Sequence, residues 1–134
     1  MNRFLKPAGH VVVDLLSVAT MAVAPRLLGL QGRAATASYA LAGSYLGVSL
    51  ITRAPGGLLK LLPFETHGRI ELSTAPLVAG LPWLLHFAAN PRERNYFLGL
   101  AAFAGLVWSV TDWKAPEDEH DYGSDPLSSR DPVQ

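Results

Sequence analysis

Four long apolar stretches make up most of the chain, at residues 10–30, 34–53, 67–88 and 95–113. Short polar segments connect them. Each stretch approaches the roughly 20 apolar residues that a helix needs to cross a bilayer. A helix in a soluble bundle carries a polar stripe along one side, and these stretches contain too few polar residues to form one. The pattern predicts an all-α, integral membrane four-helix bundle.

The order of residues in the first half recurs in the second. Each half contains a His, an acid four residues later, a proline near the end of the first apolar stretch, and a Thr at the end of the next. The matched positions are His10 and His67, Asp14 and Glu71, Pro25 and Pro82, Leu41 and Leu100, Val48 and Val107, and Thr52 and Thr111. The sequence therefore predicts two tandem helical-hairpin repeats.

The basic residues indicate an orientation. Six Lys or Arg residues lie before the first stretch, around the central connection or after the fourth stretch, against four near the two hairpin loops. Because cytoplasmic loops carry the excess of Lys and Arg, we expect both termini to be cytoplasmic. The chain then divides into an N-terminal segment (1–9), a first membrane repeat (10–53), a cytoplasmic or interfacial linker (54–66), a second membrane repeat (67–113) and a tail (114–134).

The tail differs from the rest of the chain in charge. Residues 115–134 contain six acids and one Arg, whereas the preceding residues have an excess of basic side chains. The formal net charge of +0 hides this segregation. The tail is rich in Asp, Ser, Pro and Gly and lacks the apolar content that ordering requires, so we expect a disordered, acidic cytoplasmic segment.

Small residues recur at helical spacing in the second and fourth stretches. Gly43 and Gly47 lie four apart, as do Ala101 and Gly105. Small residues at this interval allow membrane helices to approach closely. We expect these positions to pack helices within the chain. A contact face between two copies of the chain is the alternative.

Two His–acid pairs lie within the apolar sequence. His10 and Asp14 are about one helical turn apart and share a helix face, and His67 and Glu71 repeat the arrangement. Because parallel repeats are related by an axis along the membrane normal, we expect the four side chains to converge. The polar residues expected around them are Thr52, Arg53, Arg69, Thr111 and Asp112.

This cluster has two interpretations. Imidazole and carboxylate suit zinc, iron or manganese, so His10, Asp14, His67 and Glu71 are candidate ligands of a divalent metal. The same residues can relay protons, since intramembrane acids often mark ion pathways. Alternatively, each His binds its own acid and the nearby charged residues pair, so that the cluster only ties helix ends together. The positions of the pairs at the predicted helix ends favour this structural interpretation.

The second repeat carries a short motif, Leu81-Pro82-Trp83, followed by Leu84-Leu85-His86-Phe87. It resembles the small bacterial membrane proteins named for a Ser-Pro-Trp (SPW) repeat, in which a helix ends in that tripeptide before a hairpin and a Gly-containing second span. In this chain Leu81 stands where the family has Ser. The resemblance covers residues 10–113 as two such units. It implies a bacterial inner-membrane location and no particular activity.

Several function classes have no support. The chain has no cysteine, which excludes disulfides and thiolate chemistry. No glycine-rich phosphate loop, no catalytic Ser–His–Asp arrangement and no basic patch for nucleic acid is visible. We therefore expect a non-enzymatic structural or interaction module in contact with membrane lipid, either alone, as a homo-oligomer or in a larger membrane complex. The alternative is binding or transport of a divalent metal or of protons through the His–acid cluster.

Overall fold

A computed structural model describes residues 3–117 of the chain. Four helices follow one another: α1 (Pro7–Leu27), α2 (Gly32–Ile51), α3 (Phe64–Leu84) and α4 (Pro91–Val110). Within the described range, two isolated backbone bridges are the only β-type pairing. The all-α, four-helix prediction is confirmed. The predicted disordered tail falls, from residue 118 onward, outside the described residues.

The helices α1 and α3 begin three residues before the apolar stretches do. Pro7 occupies the first turn of α1, where the missing N–H costs nothing because it would have no partner inside the helix. Phe64 begins α3 directly after Pro63. His10 and His67 are consequently each the fourth residue of a helix, and both side chains point into the bundle.

Helix α1 packs along α2, and α3 packs along α4, whereas α2 touches α3 at only a few positions. The apolar part of the core lies towards the two hairpin loops. It consists of Leu30, Ala34, Ala37, Val78, Phe87 and Phe97. A second, aromatic cluster lies at the opposite end, around Phe64 and Trp113. Buried polar residues lie next to the aromatic cluster, His10 and His67 among them, and Glu93 is buried at the hairpin-loop end.

Backbone bridges join neighbouring helices at matched positions. Leu5, before α1, pairs with Thr111 after α4, and Leu62, before α3, pairs with Thr52 after α2. In each bridge the Leu donates a hydrogen bond to the residue before the Thr and accepts one from the residue after it, at 2.7–3.0 Å. The two threonines are therefore held beside the first turns of α1 and α3.

Arginine side chains link the two hairpins at the other end. Arg33 donates to the carbonyl oxygen of Leu85 at 3.2 Å, and Arg92 donates to the carbonyl oxygen of Leu28 at 3.1 Å. These carbonyl groups belong to the last turns of α3 and α1, where helices leave oxygen atoms without an internal partner. Each hairpin thus caps a helix of the other.

The expected packing of glycines within the chain is wrong. Gly43, Gly47 and Gly105 are exposed, and no described atom lies within 4 Å of the position that a Cβ would take. Only Ala101 packs against the apolar core. The reason is the rotation of α2, which turns a different set of small residues inward. That set is Ala34, Ala37, Ser38, Ala42 and Ser49.

Two of the helices meet the length and composition of a membrane span. These are α1 and α2, with mean hydropathies of 1.5 and 1.3. The helices α3 and α4 contain charged residues in their N-terminal parts, Glu65, Arg69 and Glu71 in one and Arg92 to Arg94 in the other. These residues lower the mean hydropathy of the two helices.

Gly68 leaves room for the Trp113 ring, and this contact can be tested. A Cβ at position 68 would lie 2.5 Å from the ring, so we expect Gly68→Ala to cost about 1–3 kcal/mol, as overpacking does. The control is Gly99→Ala in α4, where a Cβ meets no described atom and Ala gains about 1 kcal/mol of helix propensity. Thermal unfolding in detergent should show opposite shifts, and equal shifts would contradict the contact.

Candidate functional site

The four residues of the two His–acid pairs meet in the bundle, and we call them the tetrad: His10, Asp14, His67 and Glu71. Nε2 of His10 lies 3.3 Å from Oδ1 of Asp14 and 3.6 Å from Oε2 of Glu71. Nε2 of His67 lies 3.3 Å from Oδ2 of Asp14. Asp14 therefore faces both imidazoles, and Glu71 reaches the His of the other hairpin. The sequence-based expectation that the four side chains converge agrees with these distances.

The tetrad is buried more deeply than its predicted position at helix ends suggested. His10 is 0% exposed and Glu71, the most exposed of the four, only 6%. Burial of polar groups is costly unless each finds a partner. The partners of each ring nitrogen and each carboxylate oxygen therefore determine what the site can do.

Two threonine hydroxyls determine the orientation of the imidazoles. The hydroxyl of Thr111 donates to the carbonyl oxygen of Val107 at 2.7 Å, and the hydroxyl of Thr52 donates to that of Val48 at 2.6 Å. A hydroxyl has only one proton to donate. The oxygen atom of Thr111 also lies 3.0 Å from Nδ1 of His10, and that of Thr52 lies 2.9 Å from Nδ1 of His67. Because the hydroxyl protons are already used, Nδ1–H is the donor in both of these contacts.

It follows that the neutral imidazoles expose Nε2 to the centre of the tetrad. With the proton on Nδ1, the Nε2 atoms of His10 and His67 carry the lone pairs. Nε2 of His10 and Oε2 of Glu71 are buried without a hydrogen-bond partner in the described structure. Ring nitrogens aimed in this way, with Nδ1–H held by an oxygen acceptor, have the arrangement found at metal-ligating histidines.

Asp14 is held in place by α2. The hydroxyl of Ser49 donates to Oδ2 of Asp14 at 3.0 Å. A small cavity of about 20 Å³ lies next to Asp14 and Glu71 and is also bordered by Tyr45 and Ser17. This volume accommodates about one water molecule. The cavity borders the two carboxyl groups, and most of the other side chains that line it are apolar.

Aromatic rings cover the end of the tetrad that lies beyond the first turns of α1 and α3. The Trp113 ring lies 4.7 Å from that of His10 and stacks at 6.1 Å on that of His67, and Phe64 lies 4.9 Å from Trp113. The Trp113 indole donates to the carbonyl oxygen of Trp108 at 3.0 Å. We call Phe64 and Trp113 the aromatic lid, since they separate the imidazoles from the solvent at this end.

The lid exists because matched positions differ between the hairpins. Two residues after Thr111 comes Trp113, whereas two residues after Thr52 comes Ala54. The residue after His67 is Gly68, which makes room for the indole, and the residue after His10 is Val11, which packs against the same cluster. The second hairpin thus combines the large ring of Trp113 with the missing side chain of Gly68, where the first hairpin has Ala54 and Val11.

The charged residues expected at the cluster do not join the tetrad. Arg69 pairs with Glu65 at 2.8 Å on the exposed side of α3. Arg53 donates to the carbonyl oxygen of Lys60, and Asp112 accepts from the backbone of Lys114. Within the described residues, no Lys or Arg forms an ion pair with Asp14 or Glu71. The negative charge of these carboxyl groups must be balanced by protons or by a bound cation.

The ligand chemistry of the tetrad suits a divalent transition metal. Donor atoms of His10, Asp14 and His67 lie within 4.8 Å of one another, and Oε2 of Glu71 adds a fourth. Imidazole nitrogen together with carboxylate oxygen favours zinc, iron or manganese over calcium and magnesium, which prefer oxygen alone. The candidate metal ligands named from the sequence are thus brought together: His10, Asp14 and His67 share one group of donor atoms, and Glu71 approaches that group from the side of His10.

The sequence analysis placed Thr52 and Thr111 around the tetrad without giving them a role, and it missed Ser49 and Trp113. Thr52 and Thr111 were among the matched positions, and their repetition beside the repeated His was a signal for a hydrogen-bond partner. Ser49 and the ring of Trp113 gave no such signal, because small polar and aromatic residues are common in apolar helices and at their ends.

Comparison with known proteins provides no relative from which a role could be transferred. No family model, no curated protein and no solved structure matches the chain. The resemblance to the Ser-Pro-Trp repeat proteins stays a prediction. The chemistry of the tetrad itself must carry the functional argument.

The proton positions on the imidazoles can be measured. We expect nitrogen NMR of metal-free protein to show both His10 and His67 protonated at Nδ1 when neutral. Thr52→Val and Thr111→Val should each release the neighbouring ring from this tautomer and cost about 1–3 kcal/mol, because a buried N–H loses its acceptor. Thr→Ser at the same positions is the control and should keep the tautomer. Protons on Nε2 in the unaltered protein would refute the assignment.

Proposed function

We propose that the chain is a four-span membrane protein that binds one divalent transition-metal ion at the tetrad. The observation that carries this proposal is the separation of the facing atoms, 3.3, 3.3 and 3.6 Å. A charge-assisted N–H···O hydrogen bond would draw nitrogen and oxygen to about 2.7–2.9 Å. Two ligands at about 2.0 Å from a tetrahedral zinc ion are instead about 3.3 Å apart. The spacing is longer than that of charge-assisted hydrogen bonds and is compatible with ligands around a shared ion, with one oxygen of Asp14 facing each imidazole.

The proton positions support the same proposal. A metal ion needs an unprotonated nitrogen, and the threonine hydroxyls keep the imidazole protons on Nδ1. A divalent cation also supplies the positive charge that two buried carboxylates lack in the described structure. One ion would thus give a partner to Nε2 of His10 and Oε2 of Glu71, the two buried atoms without one.

The distribution of apolar side chains supports a membrane location. A core helix of a soluble protein is mostly buried, yet only 28% of the apolar window of α1 or of α2 is buried inside the bundle. Large apolar side chains cover the outside of the helices, while the interior includes the four ionisable side chains of the tetrad. On α1 the exposed residues include Leu15, Leu16, Val23 and Leu27. An apolar exterior of this extent matches contact with lipid.

Our proposal extends to four spans and two tandem repeats. α3 and α4 fall short in composition because of charged residues in their N-terminal parts, and long Arg side chains near a helix end can reach the interface. The matched bridges at Thr52 and Thr111, and the matched arginine links, support the repeats. The exposed Leu58, Leu59 and Leu61 of the linker suit the headgroup boundary. Cytoplasmic termini, and the bacterial inner membrane that the family resemblance implies, belong to the same proposal.

Metal content is the decisive measurement. We expect protein purified in mild detergent to hold about one equivalent of metal by elemental analysis, since the tetrad offers one set of four ligands. His10→Ala/His67→Ala should lose that metal, whereas His86→Ala, on an exposed residue outside the tetrad, should keep it. A wild-type protein that is metal-free and stays so on titration with zinc, iron and manganese would contradict the proposal. The tetrad would then be a proton-sharing tie within a structural module.

The four-span arrangement has its own test. The chain has no cysteine, so single Cys variants can be labelled without further changes. We expect Leu59→Cys in the linker to react with a membrane-impermeant maleimide only from the cytoplasmic side, and Ala89→Cys in the second hairpin loop only from the opposite side. Labelling of both positions from the same side would rule out this topology.

A further inference from the structure

A crevice between α2 and α3 leads to the tetrad from the side of the bundle. Its volume is about 280 Å³, near the lower limit of about 300 Å³ for small-molecule pockets. Leucine, isoleucine and valine side chains form its walls. His67 and Glu71 lie along it, together with the hydroxyl groups of Ser44, Tyr45 and Thr74. The crevice thus combines apolar walls with access to two members of the tetrad.

The other surface crevices of the described residues do not reach the tetrad. The aromatic lid covers the end beyond the first turns of α1 and α3. Between α1 and α4, the described residues also form a crevice, but its lining includes no member of the tetrad. Phe103 and Ser44 occupy matched positions, each eight residues before the Thr that ends its helix. Phe103 lines the crevice between α1 and α4, and Ser44 lines the crevice between α2 and α3. The phenyl ring stands where the opposite crevice has only a small hydroxyl side chain.

The polar groups of the open crevice are mostly hydrogen-bond acceptors, and the Tyr45 hydroxyl is the one that can also donate. Ser44 donates its hydroxyl proton to the carbonyl oxygen of Ala40 at 2.9 Å, and Thr74 donates to that of Ile70 at 2.7 Å. The oxygen atoms of both hydroxyls are left to accept, as is the carboxyl group of Glu71. No Lys or Arg lines the crevice. A ligand that donates a hydrogen bond fits this surface, whereas an anion would lack a counter-charge and would face Glu71.

We propose that this crevice admits a neutral, lipid-soluble alcohol or phenol from the bilayer, with the hydroxyl group placed beside His67 and Glu71. The apolar part of the ligand lies along the walls, and the hydroxyl finds acceptors at the polar side chains. This inference rests on the proposed function for its setting, since the crevice must face lipid and the hydroxyl would approach the metal ligands. It assigns to the site a class of small molecule in addition to an ion.

The test uses the full chain in detergent and a photoreactive long-chain alcohol as probe. We expect cross-links to residues of α2 and α3 that line the crevice. Unlabelled hexadecanol should compete about tenfold better than its methyl ether or than palmitic acid, the change expected for one lost hydrogen bond. Equal competition by the ether would overturn the proposal, because lipid chains would then enter without recognition of a hydroxyl. This comparison needs no variant.

A pair of variants at matched positions sharpens the result. Ser44→Phe places the ring of the opposite side in the open crevice and should reduce labelling at least about tenfold. Phe103→Ser, the reverse change on the other side, should leave labelling of α2 and α3 unaltered. Unchanged labelling in Ser44→Phe would refute the entrance.

Metal content, measured on the same samples, separates this inference from the proposed function. Ser44 hydrogen-bonds to the carbonyl oxygen of Ala40 and not to the tetrad, so Ser44→Phe should keep the metal. Bound metal without hydroxyl-dependent competition would overturn the crevice proposal and leave the metal site standing. Hydroxyl-dependent labelling of protein that takes up no metal would overturn the metal site and uphold the crevice.

Discussion

A threonine hydroxyl has a single proton, and the orientation of both imidazoles in the tetrad depends on which acceptors receive the hydroxyl protons of two threonines. Thr52 and Thr111 both give theirs to a carbonyl oxygen one turn back in their own helices. Each imidazole must then donate to the hydroxyl oxygen, and its second nitrogen faces the carboxyl groups of Asp14 and Glu71. Without this constraint the two rings could exchange donor and acceptor, and the tetrad would have no defined ligand set.

The rest of the bundle keeps the threonines in place. Each Thr ends a helix, and the bridges to Leu5 and Leu62 hold those helix ends beside the first turns of α1 and α3. At the far end, the arginine links join the two hairpins again. The four ionisable side chains of the tetrad are buried between the backbone bridges and the arginine links. Burying each charge costs several kcal/mol unless a partner compensates for it. A bound cation is the partner that the donor atoms suit.

Near-symmetry and its exceptions have separate consequences. The matched positions supply two imidazoles, two acids and two threonines, which together form one set of ligands with its supports. The exceptions shape access to that set. Trp113 fits against Gly68 and forms part of the aromatic lid, whereas the matched positions of the other hairpin hold Ala54 and Val11. The small side chain of Ser44 leaves the crevice between α2 and α3 open, whereas the matched position on the other side of the bundle holds Phe103. Two similar halves can thus enclose a site whose sides differ in access within the described residues.

The sequence by itself determined the four helices, their pairing by short loops, and the residues of the tetrad. These features depend on apolar run length and on side-chain spacing within a helix, and both are local properties of the chain. Only the tertiary structure decided that Asp14 faces both imidazoles, that Arg53 and Arg69 stay outside, and that the glycines of α2 face outward. Those outcomes depend on the rotation of each helix about its own axis. That rotation is chosen by the packing of all four helices together, and no single apolar stretch encodes it.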